Sequence, residues 1–158
     1  MKTKFYYLLI MIGTALSLSS CLNDDPWDDF STVKPVIELP YSSHSVSITS
    51  KNGQNVTFEL IVNYTIADWR NQNDEIVVGL GIDESLIGKN LLLPASAYSL
   101  PETMTIVGQT QLTTTNLTVN VTGLAAGKYT LPIVIKSVPA GYTMSGNFNY
   151  VLFTVNVQ

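Results

Sequence analysis

Cysteine, histidine and charge are all scarce in this sequence. Its 158 residues include one cysteine and one histidine, and only 13% of them are charged. A single cysteine cannot form a disulfide within the chain, and one histidine excludes zinc sites built from histidine clusters. The eight basic residues form no cluster that could neutralise phosphates, which argues against nucleic acid as a partner. We expect no cofactor and no metal site.

Long apolar runs are also lacking, because none reaches the roughly 20 residues of a membrane-spanning helix. The longest apolar stretch occupies residues 5–18 and follows Lys2 and Lys4. A basic start, a short apolar stretch and small residues are typical of a signal peptide, so we predict one over residues 1–20. The chain that remains carries six basic and twelve acidic side chains, an acidity that favours solubility.

The junction Leu18-Ser19-Ser20-Cys21 places two small residues between a branched apolar residue and the cysteine. It resembles the lipobox of bacterial lipoproteins. The resemblance implies a thioether-linked diacylglycerol on Cys21 and cleavage just before it, and two or more acyl chains anchor a protein stably to a membrane. The alternative is an ordinary secretory signal followed by a chance cysteine.

Four aspartates lie within residues 21–32, which we expect to form a flexible acidic tether. Asp24 and Asp25 come soon after Cys21, and this short acidic run resembles the surface-export signal of Bacteroidetes lipoproteins. The resemblance implies the outer membrane, with the protein facing the cell exterior. A calcium site is a further alternative, but the aspartate spacing fits no EF-hand loop.

Alternation of apolar and polar residues dominates the chain from residue 33 onward. The clearest case is residues 55–66, where Val56, Phe58, Leu60 and Val62 share one face. Further strands are predicted at residues 46–50, 75–82, 103–107, 111–122, 129–138 and 149–157. No stretch has sustained helical periodicity. We therefore predict one all-β domain over residues 33–158, an immunoglobulin-like β-sandwich of about seven or eight strands.

Glycines predict the local backbone at several points. Gly53 follows an asparagine, and this pair predicts a tight hairpin between the strands at residues 46–50 and 55–66. Gly79 and Gly81 share one face of their strand and predict a bulge or a close approach to another chain segment. After them, Asp83 and Gly88 are suited to begin and end one helical turn.

Three motifs follow one another in the second half of the sequence. They are Asp83-Glu84-Ser85-Leu86 after a valine-rich strand, Leu92-Leu93-Pro94 with Tyr98, and Tyr129-Thr130-Leu131-Pro132. In order and spacing they resemble a Bacteroidetes family, domain of unknown function 1735, over nearly the whole chain after the tether. The resemblance implies an immunoglobulin-like sandwich in a lipoprotein. Such domains often precede glycosidase-like or carbohydrate-binding modules, and we expect no such module in this sequence, which ends with the last predicted strand.

Catalysis is not expected from these residues. Glycoside hydrolysis generally uses two carboxylates on opposite sides of the scissile bond. The acidic pairs Asp74-Glu75 and Asp83-Glu84 instead look like solvated turn residues at strand ends. His44 lies between two serines, and we expect it to be an exposed loop residue rather than a catalytic base. We predict no catalytic residue and no enzyme activity.

A polar loop around Trp69 is the candidate ligand-binding site. Sugar recognition uses exposed aromatic rings beside hydrogen-bonding side chains, and Trp69, Arg70 and Asn71 offer this combination. Tyr142, which follows a glycine in a turn, is a further candidate, and Tyr41 a weaker one. The alternative is that Trp69 folds back to cap the end of the sandwich.

These features together predict a cell-surface lipoprotein, held in the outer membrane through Cys21. Its domain would be a non-catalytic module for glycan capture or utilisation, with a polysaccharide as its ligand. The alternative is a structural spacer or a docking module that binds another outer-membrane protein, for example by pairing through a sheet edge.

Overall fold

Two β-sheets face each other in the computed structural model, which describes residues 33–51, 53–66 and 69–158. The strands in these residues are β1 (Val36–Glu38), β2 (Ser45–Ser50), β3 (Val56–Thr65), β4 (Ile76–Ile82), β5 (Leu91–Leu92), β6 (Thr103–Ile106), β7 (Leu112–Val119), β8 (Gly127–Ser137), β9 (Thr143–Met144) and β10 (Tyr150–Val157). The four-stranded sheet has the order β7-β3-β1-β9. The six-stranded sheet has the order β2-β10-β8-β4-β6, with β5 beside β8. The predicted all-β sandwich is confirmed.

Three very short strands raise the number of described strands above the predicted seven or eight. β1 has three residues, and β5 and β9 have two each. Alternation is recognisable only over about four residues or more, so strands this short leave no pattern in the sequence. The other strands correspond to the predicted ones.

The core lies between the sheets and follows the alternation along each strand. In β3, the apolar residues at every second position are buried, whereas Thr57 and Glu59 are exposed on the outer face. Phe58 of β3 stacks on Phe153 of β10, with ring centroids 4.6 Å apart and planes 17° from parallel. This contact joins the two sheets through their largest apolar side chains.

The predicted hairpin at Gly53 is wrong. Gly53 has the expected positive φ of 70°, but β2 pairs in parallel with β10 of the six-stranded sheet. β3 pairs with β1 and β7 in the other sheet, so the segment around Gly53 crosses from one sheet to the other. Alternation reveals which face of a strand is buried and not which strand lies beside it, and an asparagine–glycine pair predicts a turn but not the sheet that each flanking strand joins.

Gly79 and Gly81 meet the expectation of a bulge and a close approach. The pairing of β4 with β8 shifts register between Gly79 and Leu80. On the outer face of the sheet, a Cβ atom added to Gly81 would lie 2.7 Å from Cγ and Cε of Lys136. The missing side chain at Gly81 therefore allows Lys136 to lie flat across the sheet.

The helical turn predicted after Asp83 is also present, as a 3₁₀ turn over Glu84–Leu86. The carboxylate of Asp83 accepts a hydrogen bond from the backbone N–H of Ser85, at 3.1 Å. Gly88 has a φ of 62°, which suits the residue that ends such a turn. The turn fixes the Asp83 side chain beside the outer face of the six-stranded sheet.

Tyr41, a weaker ligand candidate, has a structural position. Its hydroxyl donates to the carbonyl of Glu59 at 2.6 Å and accepts from the N–H of Ile61 at 2.9 Å. Its ring meets Phe153 edge-on, with centroids 5.6 Å apart. Burial raises the pKa of the Tyr41 hydroxyl above its usual value, so the hydroxyl stays protonated and can donate this bond. Tyr41 thereby continues the bonding of β3 beyond the end of β1.

Candidate functional site

The predicted ligand residues near Trp69 are placed by a 3₁₀ turn over Trp69–Asn71. The Trp69 indole is half-buried and packs against the hydrophobic core. The guanidinium carbon of Arg70 lies 4.6 Å from the centroid of the Trp69 ring. The hydroxyl of Tyr64 donates to the Trp69 carbonyl at 3.2 Å and fixes the turn to β3.

Gln72 connects this turn to Tyr142. Its Nε2 donates to the Tyr142 hydroxyl at 3.3 Å and to the Asp74 carbonyl at 2.6 Å. Its Oε1 is buried and has no hydrogen-bond partner. Sequence reasoning missed Gln72, because a glutamine in a polar loop has no local signal of burial.

The structure thus gathers Trp69, Arg70, Asn71, Gln72 and Tyr142 in one loop region, which we call the Trp69 cluster. Arg70 and Asn71 are exposed, whereas Tyr142 and Trp69 are half-buried. The packing of Trp69 agrees with the alternative in which the indole caps the sandwich. Ligand contact by this cluster stays a prediction.

The other predicted functional residues, Cys21, Asp24 and Asp25, lie outside the described residues. Within the described part, no helix is long and apolar enough to cross a membrane. The same part of the chain holds no group of three or more histidine, cysteine or acidic side chains that could bind a metal ion.

A groove of about 390 Å³ lies on the outer face of the six-stranded sheet, beside β8 and the start of β10. We call it the Tyr150 groove, and it is lined by Asp83, Leu86, Val134, Ile135, Lys136, Asn149 and Tyr150. These residues come from the turn after β4, from β8 and from the start of β10. Because they are distant in sequence, no local motif could have revealed the groove.

Asp83 and Lys136 supply opposite charges to this groove. The Asp83 carboxylate accepts from the Ser85 hydroxyl at 2.7 Å as well as from the Ser85 N–H. The two hydrogen bonds from Ser85, chiefly that of the side chain, lower the pKa of Asp83, and Lys136 adds a smaller effect in the same direction. Asp83 is therefore an ionised acceptor at neutral pH, and Lys136 is a donor.

Tyr150 supplies the aromatic ring of the groove. The neighbouring Val151 and Phe153 are buried between the sheets, so alternation directs Tyr150 to the outer face. The ring stacks on His44, with centroids 4.7 Å apart and planes 17° from parallel. His44 lies in the loop before β2, as expected, but it is half-buried rather than exposed. Its flanking serines gave no indication of this stacking.

The groove combines an aromatic ring with a carboxylate, an ammonium group and an amide. Sugars present hydroxyls that such groups bind and apolar ring faces that aromatic side chains cover. Asp83 is the only carboxylate among the residues that line the groove. Glycoside hydrolysis by the usual mechanism uses a pair of carboxylates, and this lining supplies one.

A family model for an N-terminal domain matches residues 33–141 of the chain. Because this is more than half of its length, the chain belongs to that family of N-terminal domains. The resemblance to domain of unknown function 1735 is confirmed, and the protein carries a Bacteroidetes domain of this kind. No curated protein matches the chain.

Solved structures from Bacteroides share the fold. A two-domain protein of unknown function from Bacteroides fragilis has a TM-score of 0.64 and 14% identity, over 90% of this chain and 50% of its own. A multidomain protein from Bacteroides ovatus that includes domain of unknown function 1735 has a TM-score of 0.57 and 14% identity, over 78% of this chain and 45% of its own. A candidate carbohydrate-binding protein from the same species has a TM-score of 0.56 and 15% identity, over 76% of this chain and 36% of its own. The chain thus spans half or less of the length of these proteins, and the likeness shows the fold alone.

Proposed function

We propose that this domain is a non-catalytic carbohydrate-binding module of a cell-surface lipoprotein, with the Tyr150 groove as its binding site. The observation that carries the proposal is the groove itself, which joins an aromatic ring to Asp83, Lys136 and Asn149. Aromatic and apolar walls with a few well-placed polar groups are typical of small-molecule sites.

Two further observations support this function. The candidate carbohydrate-binding protein from Bacteroides ovatus shares the fold. The groove also holds one lining carboxylate, which favours binding over glycoside hydrolysis.

The proposed location follows from the sequence before the domain. Cys21 would carry the lipid, and Asp24 and Asp25 would direct the protein to the outer face of the outer membrane. Protease treatment of intact cells tests this location, because a surface protein is cleaved there and a periplasmic one is protected.

Affinity electrophoresis tests the binding function. The full chain, purified in detergent, runs in native gels that contain mannan, laminarin, arabinoxylan, chondroitin sulfate or mucin. We expect at least one glycan to retard the wild type and the Leu112→Ala control, whose side chain is exposed on the four-stranded sheet. Tyr150→Ala should run without retardation.

Other outcomes would change the assignment. Wild-type mobility that no glycan alters would contradict carbohydrate binding. Retardation that survives Tyr150→Ala and disappears in Trp69→Ala would move the site to the Trp69 cluster.

Strand β7 favours protein docking as a second candidate function. β7 ends the strand order of the four-stranded sheet, and its eight residues carry no charged side chain. Edge strands without charge or proline are templates for pairing with another chain. Crosslinking on whole cells should then capture an outer-membrane partner, and Thr114→Lys on the exposed face of β7 should reduce the yield.

A further inference from the structure

A second groove, of about 200 Å³, is lined by Glu38, Pro40, Ser42 and Phe148. We call it the Phe148 groove. The Phe148 backbone is held on both sides, since its carbonyl accepts from the Leu39 N–H at 2.7 Å and its N–H donates to the Ser145 hydroxyl at 3.0 Å. The ring of Phe148 is therefore attached to a fixed backbone rather than to a free loop.

His44 connects the Phe148 groove to the Tyr150 groove. Its imidazole stacks on Phe148, with centroids 5.2 Å apart and planes 24° from parallel, as well as on Tyr150 at 4.7 Å. The three rings form a continuous aromatic ridge. Phe148 contributes to one groove, and Tyr150, two residues later, contributes to the other.

The backbone of His44 is unusual in a way that this ridge explains. His44 has a φ of 53°, in the left-handed region that non-glycine residues seldom adopt. Val46 and Ile48 of β2 pack against the core, so regular alternation would also turn residue 44 inward. The left-handed conformation breaks this alternation and lets the imidazole reach the outer-face ring of Tyr150.

The imidazole also has an unsatisfied atom, because its Nδ1 is buried without a hydrogen-bond partner. Backbone strain and unpaired polar atoms concentrate at functional sites, where the surrounding structure maintains them for a purpose other than stability. Both features occur here at the residue that joins the two grooves.

From this geometry we infer that the two grooves are subsites of one binding face, and that the ligand is an oligosaccharide with a sugar ring in each groove. This inference rests on the proposed function. Proline and phenylalanine give the Phe148 groove apolar walls that suit the face of a sugar ring. The charged and amide groups of the Tyr150 groove suit hydroxyls.

Isothermal titration with oligosaccharides of increasing length tests this inference. The probes are gluco-, manno- and xylo-oligosaccharides of one to six residues, titrated into the full chain in detergent. For the series that binds, we expect the wild-type affinity to rise on the order of tenfold from the monosaccharide to the longer chains. Phe148→Ala should remove this rise in affinity with chain length, whereas Tyr150→Ala should weaken binding at every length.

His44→Gly is the sharpest variant, because glycine readily adopts the left-handed backbone and removes the side chain that joins the two grooves. It should also remove the rise with chain length. Leu112→Ala should retain the full rise, and thermal unfolding of each variant verifies that the fold persists.

The outcomes separate the inference from the proposed function. Equal affinity for monosaccharides and longer chains, with loss in Tyr150→Ala, would overturn the two-subsite inference and keep carbohydrate binding. A rise in affinity with chain length that persists in both Phe148→Ala and His44→Gly would also overturn the two-subsite inference. Absence of binding to every series would contradict both the inference and the proposed function.

Discussion

In the Trp69 cluster the aromatic ring packs against the core beside an arginine, whereas in the Tyr150 groove the ring borders an open concave surface. Both regions combine an aromatic side chain with amides and charges. The difference is that Trp69 packs its apolar surface against the core, while Tyr150 lines an open groove beside the charged groups of Asp83 and Lys136.

Polar neighbours in the sequence therefore do not reveal whether an aromatic ring is exposed to a ligand. Trp69 lies in a polar loop and still packs inward. Tyr150 begins an apolar strand, and its position on the outer face follows from alternation with Val151. Stability should therefore depend on the Trp69 cluster, and ligand binding should depend on the Tyr150 groove.

The largest effect is expected for Trp69→Ala. Removing an indole that packs against the core should lower the free energy of unfolding by about 2 kcal/mol, below the roughly 3–5 kcal/mol of a fully buried aromatic residue. Urea denaturation measures this change, and Trp69→Phe, which retains a ring, should lose less. A variant as stable as the wild type would mean that the indole does not cap the sandwich.

Gly108→Ala should have the next largest effect. A Cβ atom there would lie 2.6 Å from the backbone oxygen of Asn73, and backbone cannot yield as a flexible side chain does. Forcing these segments apart should cost about 1–2 kcal/mol of unfolding free energy, as overpacking usually does. It should also weaken the 2.7 Å bond from Gln109 N–H to the Gln72 carbonyl, which supports the Trp69 cluster.

Gly146→Ala is the matched control for Gly108→Ala. A Cβ atom at Gly146 meets nothing within 4 Å, so its unfolding free energy should stay within about 0.5 kcal/mol of the wild type. Equal effects of the two substitutions would show that the contact with Asn73 is not tight.

Alternation predicted the fold well because burial on one face is a property of each strand by itself. It located β3 and β10 and the bulged strand with Gly79, and it assigned the fold class. The hairpin at Gly53 was predicted from turn chemistry and is wrong, because strand neighbours depend on the whole sandwich rather than on the connecting turn. The shortest strands, such as β9, have too few residues to show any period.

The candidate site was predictable only in part. Trp69 and Arg70 were selected as candidates from a polar loop and Tyr142 from a turn, and the structure brings them together in one cluster. The Tyr150 groove depends on three distant segments, and His44 stacks on its Tyr150 ring from a left-handed backbone that no sequence pattern marks. Sites assembled by tertiary contacts in this way need the fold before they can be recognised.

Arg70→Ala should lower the free energy of unfolding less than Trp69→Ala or Gly108→Ala does. The guanidinium lies 4.6 Å from the Trp69 ring on an exposed side chain, where such contacts contribute about 0.5–1 kcal/mol. Urea denaturation should show a loss of about 0.5 kcal/mol, with a smaller loss in Arg70→Lys. A loss of glycan retardation in Arg70→Ala without a stability change would assign Arg70 to ligand binding and reverse the contrast between the two regions.

Gly81→Ala should affect the Tyr150 groove with almost no change in stability. The added methyl group would displace Lys136, whose flexible side chain can move aside. The free energy of unfolding should therefore change by less than about 0.5 kcal/mol. Retardation by glycans should weaken as it does in Lys136→Ala. The double variant should be no weaker than Lys136→Ala alone, and additive weakening would mean that Gly81 acts independently of Lys136.

The smallest change is expected in the titration of Asp83. Hydrogen bonds from Ser85 hold the folded-state pKa of Asp83 below the unfolded value of about 3.9. A lowered pKa stabilises the fold above that unfolded value, and this contribution is lost as the pH falls through the folded-state pKa. In Ser85→Ala the pKa of Asp83 should rise toward its usual value, and the loss of stability in acid should become smaller. Carbon-13 NMR of the Asp83 carboxyl group measures this pKa.

Ser43→Ala removes a serine hydroxyl that bonds to the Ser45 carbonyl instead, so it should leave the pKa of Asp83 unchanged. An unchanged pKa in Ser85→Ala would mean that the turn does not hold Asp83 in its ionised form, and that the acceptor of the Tyr150 groove is less fixed than the arginine-covered ring of the Trp69 cluster.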